Sequence, residues 1–309
     1  MRAYAVLAFA LTVGSAGAAS AAVIDPINVL QHVNALIYTN ATTAADIQGE
    51  AIIGGNFSGA TMDNNFTPLT GYGALTVYGS TSGNQINLGN GGSAYVAGTK
   101  GEHINFNGGG NYLTTAPPNT INDFETAMNG FSTSLSQLAA TSTLPTTGNN
   151  EVLLAHPNSK GVAIFDITAA QLDAIPSYSI NRNGAKTVLF NVSGSAIAFS
   201  GNEQGSITGT AGDIIWNFYQ ATSVTLGTQI GGKILAPTAA VTNNNQIDGS
   251  LVAKSWTGRG ELHSNLFTGA SPLAVPEPGT WALMMIGIGA IGAGLRLRRG
   301  KTAAAEEAA

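Results

Sequence analysis

Apolar and polar residues alternate over short runs along most of the chain, and the runs recur at nearly constant spacing. Gln229-Ile230-Gly231-Gly232-Lys233-Ile234-Leu235-Ala236 reads onto Gln246-Ile247-Asp248-Gly249-Ser250-Leu251-Val252-Ala253 at an offset of 17, and Val224-Thr225 falls on Val241-Thr242 in the same register. Upstream, Leu75-Thr76-Val77-Tyr78-Gly79 aligns with Ala94-Tyr95-Val96-Ala97-Gly98 at 19, and Gln85-Ile86-Asn87-Leu88 with His103-Ile104-Asn105-Phe106 at 18. A period of two puts Ile86 and Leu88 on one face of a strand and Asn87 on the other. Strands this short cannot enclose a core alone, but coils stacked on one another can. The pattern predicts a mainly β chain, a parallel β-solenoid whose Val, Ile and Leu point inward. An antiparallel sandwich also uses short strands and Gly turns; the fixed offsets favour the solenoid.

One segment follows a different period. Within Asn119–Ala140, residues Ile121, Phe124, Met128, Phe131, Leu135 and Leu138 are spaced by three and four. That predicts one long α-helix with a single apolar stripe, capped by Thr120 or Asn122, preceded by Pro117-Pro118 and closed off before Pro145. A one-sided helix has to lie against something, and the flank of the solenoid is the expected partner. A shorter helix is expected around Leu172 to Ile175, inside Thr168–Pro176.

The two ends read as addresses. Met1–Ala22 has Arg2, the apolar run Ala5–Val13, too short to span a bilayer, and the small residues Ala18–Ala22, which is the order of a secretory signal peptide for signal peptidase. At the other end, Val275-Pro276-Glu277-Pro278-Gly279 precedes the apolar stretch Thr280–Leu295, which predicts a C-terminal apolar helix; Arg296, Arg298, Arg299 and Lys301 follow. Apolar helix and then positive charge is a stop-transfer pattern with its basic end cytoplasmic. Pro276-Glu277-Pro278, the helix and the basic end together resemble a PEP-CTERM sorting tail. The resemblance implies an exported protein of a Gram-negative bacterium that makes extracellular polysaccharide. It also implies an inner-membrane-anchored precursor, recognition by an exosortase, and delivery to the cell surface or extracellular matrix. An ordinary single-span anchor is the alternative. The expected division is 1–22 signal peptide, 23–271 body, 272–301 sorting and transmembrane tail, and 302–309 cytoplasmic remnant.

The body also resembles a family. Asp46-Ile47-Gln48-Gly49-Glu50-Ala51-Ile52-Ile53-Gly54-Gly55-Asn56-Phe57 is similar to the N-terminal signature of the choice-of-anchor A domain. Ile215-Trp216-Asn217-Phe218, Ile234-Leu235-Ala236-Pro237, Asp248–Ala253 and Glu261-Leu262-His263 are similar to its C-terminal half, in order. The match spans most of residues 27–268. The resemblance implies an adhesive domain found with different surface-anchoring tails, more distantly similar to the solenoid-plus-helix shape of ice-binding domains. It brings no catalytic residues.

Composition narrows the function. Charged residues are 9% of the chain, against about 25% in ordinary soluble domains, while hydrophobic residues reach 44% and Gly numbers 40 of 309. Many tight corners and a large core are compatible with these values; a coiled coil is not. Residues 23–275 hold 7 basic and 14 acidic side chains, which gives nucleic acid no basic footprint. Cys is absent, which leaves neither disulfides nor thiolate metal sites.

Candidate chemistry is sparse. His32, His103, His156 and His263 do not pair at metal-ligand spacing, and Glu102 and His103, adjacent in a strand, point to opposite faces. Glu261 and His263, two apart in an extended segment, share a face. Such a pair can be a proton relay or half a metal site, but without a third partner it reads as a structural hydrogen bond near the last coil. Gly194-Ser195 lacks the second Gly of a nucleophile elbow. The Gly runs Gly89–Gly92 and Gly108–Gly110 lack the Lys-Ser/Thr of a phosphate loop and read as corners. Asp63-Asn64-Asn65 and Asn243–Asp248 offer oxygen ligands for Ca²⁺, though turn-capping Asn ladders explain them without a metal. No cofactor is expected. These features point to a non-catalytic adhesive or structural protein whose outward Ser, Thr and Asn meet extracellular polysaccharide. A polysaccharide-acting β-helix enzyme would call for clustered acids. Ice binding would call for a regular Thr array, into which Thr76, Thr225 and Thr242 are not expected to extend.

Overall fold

The computed structural model describes residues 23–273, except 60, 64, 66, 84, 102, 146, 147, 206–208 and 210. The signal segment, Pro276-Glu277-Pro278, the C-terminal apolar helix and its basic end lie outside the described residues, as do Asn64 and Glu102. Among the described residues no helix is long and apolar enough to cross a membrane.

The first half of the chain comprises α1 (Pro26–His32), β1 (Val33–Ile37), β2 (Ala41–Thr43), β3 (Glu50–Ile53), β4 (Phe57–Ser58), β5 (Thr61–Met62), β6 (Leu75–Val77), β7 (Ile86–Leu88), β8 (Ala94–Val96) and β9 (Ile104–Phe106). Helix α2 (Ile121–Ser136) follows. The second half contains β10 (Glu151–Leu154), β11 (Val162–Thr168), α3 (Ala169–Asp173), β12 (Ser177–Asn181), β13 (Thr187–Ser193), β14 (Ala196–Phe199) and β15 (Asn202–Glu203). It ends with β16 (Ile214–Asn217), β17 (Ser223–Leu226), β18 (Ile230–Asn243), β19 (Ile247–Gly258) and β20 (Leu262–His263). The strands named in the pairings below are parallel, which makes the fold a β-solenoid with three walls.

The repeats are its coils. Ile230 to Ala236 pair with Ile247 to Ala253 at the offset of 17. Val224 pairs with Val241, Leu75 with Ala94 and Ile86 with Ile104. Close stacking explains the glycines of the 17-residue repeat: a Cβ on Gly249 would lie 1.8 Å from the Gly232 carbonyl oxygen. Inward columns are continuous. Phe165, Phe190 and Trp216 occupy one register position on three successive strands and stack at 4.8 and 4.1 Å between ring centroids.

The stacking order departs from the chain order. The first wall runs β11-β13-β16-β18-β19-β1-β3-β6-β8, so the last full coil docks on the first. The chain builds one half-stack outward from β1 and starts the other at the far end. Helix α2 lies between the two halves in sequence and on the outside of the first wall in space. Its Phe124, Met128, Phe131 and Leu135 are buried with Leu36, Ile52, Ile164, Leu189, Ile215, Leu235 and Val252. Thr120 closes a capping box with Asp123. Two asparagines fix the helix in register: Asn191 Nδ2 donates to the Leu135 carbonyl at 2.8 Å, and Asn217 Nδ2 to that of Ser132 at 2.9 Å. Helix α3 is likewise boxed, by Thr168 and Gln171.

Candidate functional site

The second wall is built from β14, β17, the ends of β18 and β19, then β2 and β4. Its inward side chains, Ile197, Val224, Val241, Trp256, Ala41 and Phe57, are buried. Strand alternation turns the intervening residues outward. One outward column reads Ala198, Thr225, Thr242, Thr257, Thr42, Ser58 in paired register. These side chains are exposed or half-buried. The neighbouring column contains Ser223, Ala240 and Ser255. Past it, Asn40 and Asn56 form a ladder at the corner: Asn40 Oδ1 accepts from Asn56 N at 2.8 Å, and Asn56 Oδ1 from Ser80 N at 2.9 Å.

The four threonines repeat at about 4.8 Å, the spacing of paired strands. The expectation that Thr225 and Thr242 do not extend into an array is therefore corrected: Thr257 and Thr42 continue it. The reason lies in the stacking order, which places β2 beside β19. Thr76 does not belong to the array; it is fully buried in the first wall. Threonine suits a binding surface that must be ready-made. Its branched Cβ restricts χ1, so little rotamer entropy is lost when its methyl and hydroxyl meet a partner. At one end the column opens into a groove of about 310 Å³ lined by Thr42, Thr43, Ser58 and Gln85 among others.

The third wall, which includes the start of β18, the start of β19 and β20, carries the Glu261–His263 pair. His263 Nε2 lies 2.7 Å from Glu261 Oε2, and Nδ1 lies 2.9 Å from Asp248 Oδ1. Asp248 is the partner that sequence spacing missed; it stands directly across from His263 on the adjacent strand, and its other oxygen accepts from Gln229 Nε2 at 2.9 Å. Burial by itself would lower the imidazole pKa. Hydrogen bonds and charge from Glu261 and Asp248 outweigh it and hold His263 above its ordinary value. With both ring nitrogens engaged by carboxylates, neither is left to activate a nucleophile. His32, His103 and His156 lie elsewhere, on α1, before β9 and after β10. Among the described residues no group of three or more His, Asp or Glu is arranged to hold a metal ion. Asn243 is buried at a corner, where its Nδ2 donates to the carbonyls of Asn245 and Gly260 and its Oδ1 accepts from Trp256 Nε1.

The described residues thus form a solenoid with a helix on its first wall and a hydroxyl-bearing column on its second. Residues 26–264 match the family model described as "Putative Ice-binding-like adhesive domain", and the chain belongs to that family. Residues 274–299 match the PEP-CTERM protein-sorting motif, which marks the chain for export, exosortase processing and the cell surface. Among solved structures, the chain is similar to an ice-binding protein from the Antarctic ascomycete Antarctomyces psychrotrophicus, at 14% identity and TM-score 0.36, over 79% of this chain and 98% of that one. It is also similar to an ice-binding protein from an Antarctic bacterium, Flavobacteriaceae, at 12% identity and TM-score 0.31, over 80% of this chain and 84% of the other. No curated protein matches the chain.

Proposed function

We propose that this exported adhesive protein acts without catalysis and that the second wall is its binding face, with extracellular polysaccharide as the ligand. The observation that carries the reading is the threonine column. Each hydroxyl contributes little, but a polymer with a regular hydroxyl repeat meets many at once, and the contacts multiply. The reading includes a body of residues 23–271 followed by a sorting tail at 272–301, and the choice-of-anchor A assignment suggested by Asp46–Phe57. The test is retention of the purified exported protein on the producing strain's own exopolysaccharide. A Thr257→Tyr variant, which puts a bulky ring in mid-column, should lose retention while melting like the parent. Equal retention of both would overturn the assignment of the face.

A second reading, ice as the ligand, is favoured by the same column, since a regular threonine array is what it requires. Partition into slowly growing ice separates the two. Uptake into ice that Thr257→Tyr abolishes, without retention on polysaccharide, would replace the first reading by the second. An enzyme acting on polysaccharide would show itself by cleavage that a folded His263→Ala variant loses.

A further inference from the structure

The free end of the first wall holds a cleft of about 790 Å³ between residues 70–72, which lead into β6, and residues 111–118, of which Tyr112 pairs with Ala94 of β8. That volume lies within the 300–1,000 Å³ of small-ligand sites. We propose that this cleft binds a short neutral oligosaccharide, at a site separate from the threonine face and independent of its assignment.

Three observations support the ligand class. The lining itself includes no charged side chain, and the ammonium beside it, that of Lys100, is engaged on the ring of Tyr112. Its walls combine the apolar surfaces of Tyr72, Tyr112, Leu113 and Pro118 with the hydroxyls of Thr70 and Thr115 and others, and the amide of Asn111. A ligand that satisfies both kinds of surface needs apolar C–H faces ringed by hydroxyls, which describes a pyranose. The rings are also held in place before any ligand arrives. Tyr72 donates its hydroxyl to Asn119 Oδ1 at 3.1 Å and stands edge-on to Phe124. Tyr112 is edge-on to Phe106, with Lys100 Nζ 4.2 Å from its ring centroid. Leu113 N donates to the Ala94 carbonyl and Ala94 N to that of Asn111, which pins the outer wall. Fixed walls reduce the entropy lost on binding.

The cleft also lies far along the stack from the last described residues. Residues beyond β20 cross the first wall toward its opposite end: Phe267 N donates to the Leu30 carbonyl, Thr268 N to that of Gly212, and Thr187 Oγ1, at the start of β13, to that of Ala270. Ala270 therefore lies near one end of the stack, and the cleft sits at the other.

The experiment is calorimetric titration of the purified exported protein with cellohexaose, maltohexaose and, as a charged control, hexagalacturonate. Saturable binding of a neutral hexasaccharide is expected. Thr115→Trp, which fills the cleft from an exposed position, and Asn111→Asp, which puts a charge at its rim, should each weaken it about tenfold or more, while Thr257→Tyr leaves it unchanged. Thermal melts establish that the variants are folded. The proposal is overturned if neither neutral sugar binds, if only the charged one does, if both cleft variants bind like the parent, or if Thr257→Tyr abolishes binding.

Discussion

Thr42 and Thr257, from opposite ends of the body, stand side by side as register partners on the second wall. Their adjacency follows from a single structural decision, the docking of the last full coil on the first. It adds Thr42 and Ser58 to the column of Thr225, Thr242 and Thr257, the column proposed above as the binding face.

The column should be separable from stability. Thr257 is exposed, so Thr257→Tyr is expected to change unfolding free energy by no more than about 0.5 kcal/mol while abolishing retention on the ligand surface. Parallel thermal melts and surface-retention assays check this. A variant that loses binding only because it unfolds would count against a face built for contact.

Helix α2 should be required for assembly of the stack. Phe131 is 6% exposed and packs in the layer between helix and first wall. Phe131→Asp removes its apolar surface and buries a charge without a partner, at a cost of about 3 kcal/mol or more. Denaturant titration should show that loss. A parent-like midpoint would mean that the helix is dispensable to the body.

Stability should fall as pH rises from mildly acid to neutral. Glu50 is 1% exposed; burial lifts its carboxyl to about 8, against one hydrogen bond from Leu69 N that acts the other way. Burial also lifts Glu203 to about 7, opposed by bonds from Gly231 N and the Tyr178 hydroxyl. In both cases the folded state keeps a proton that the unfolded chain releases near 4.5. Their contribution is complete below that pH and is lost as pH rises through the folded values. Lys233 runs the other way. Burial lowers it to about 7, partly offset by Asp248, so its contribution falls away as pH drops through 7. Glu50→Gln keeps an acceptor for Leu69 N and removes one proton from the balance. The slope of stability between pH 5 and 8 should then flatten by up to about 1.4 kcal/mol per pH unit. Urea melts across that range measure it, and unchanged slopes would show that Glu50 does not hold its proton in the folded protein.

The sorting motif should be processed. The match over residues 274–299 leads us to expect, by mass spectrometry of surface-derived protein, a C-terminus near residues 275–280. Recovery of intact Ala309 at the surface would make the tail a plain membrane anchor.

Much of the fold could be read locally. The period of two and the offset of 17 exposed the strands and the register of β18 on β19 because a coil stacked on its chain neighbour repeats the same inward pattern. The three-four spacing from Ile121 to Leu138 gave the helix and, through Phe124, Met128, Phe131 and Leu135, its buried face, since an amphipathic stripe is a property of one segment; the helix itself stops at Ser136, before Leu138. What only the tertiary structure decided was which coil meets which. A strand edge offers the same N–H and C=O groups to any parallel strand, so hydrophobic periodicity carries no label that assigns β19 to β1. The threonine column, the Asp248 partner of His263 and the cleft between residues 70–72 and 111–118 all depend on contacts between separate segments. The Thr257–Thr42 pairing follows from the docking of β19 beside β1 and β2, and the other two from side chains of successive coils, which the period of a single strand does not specify.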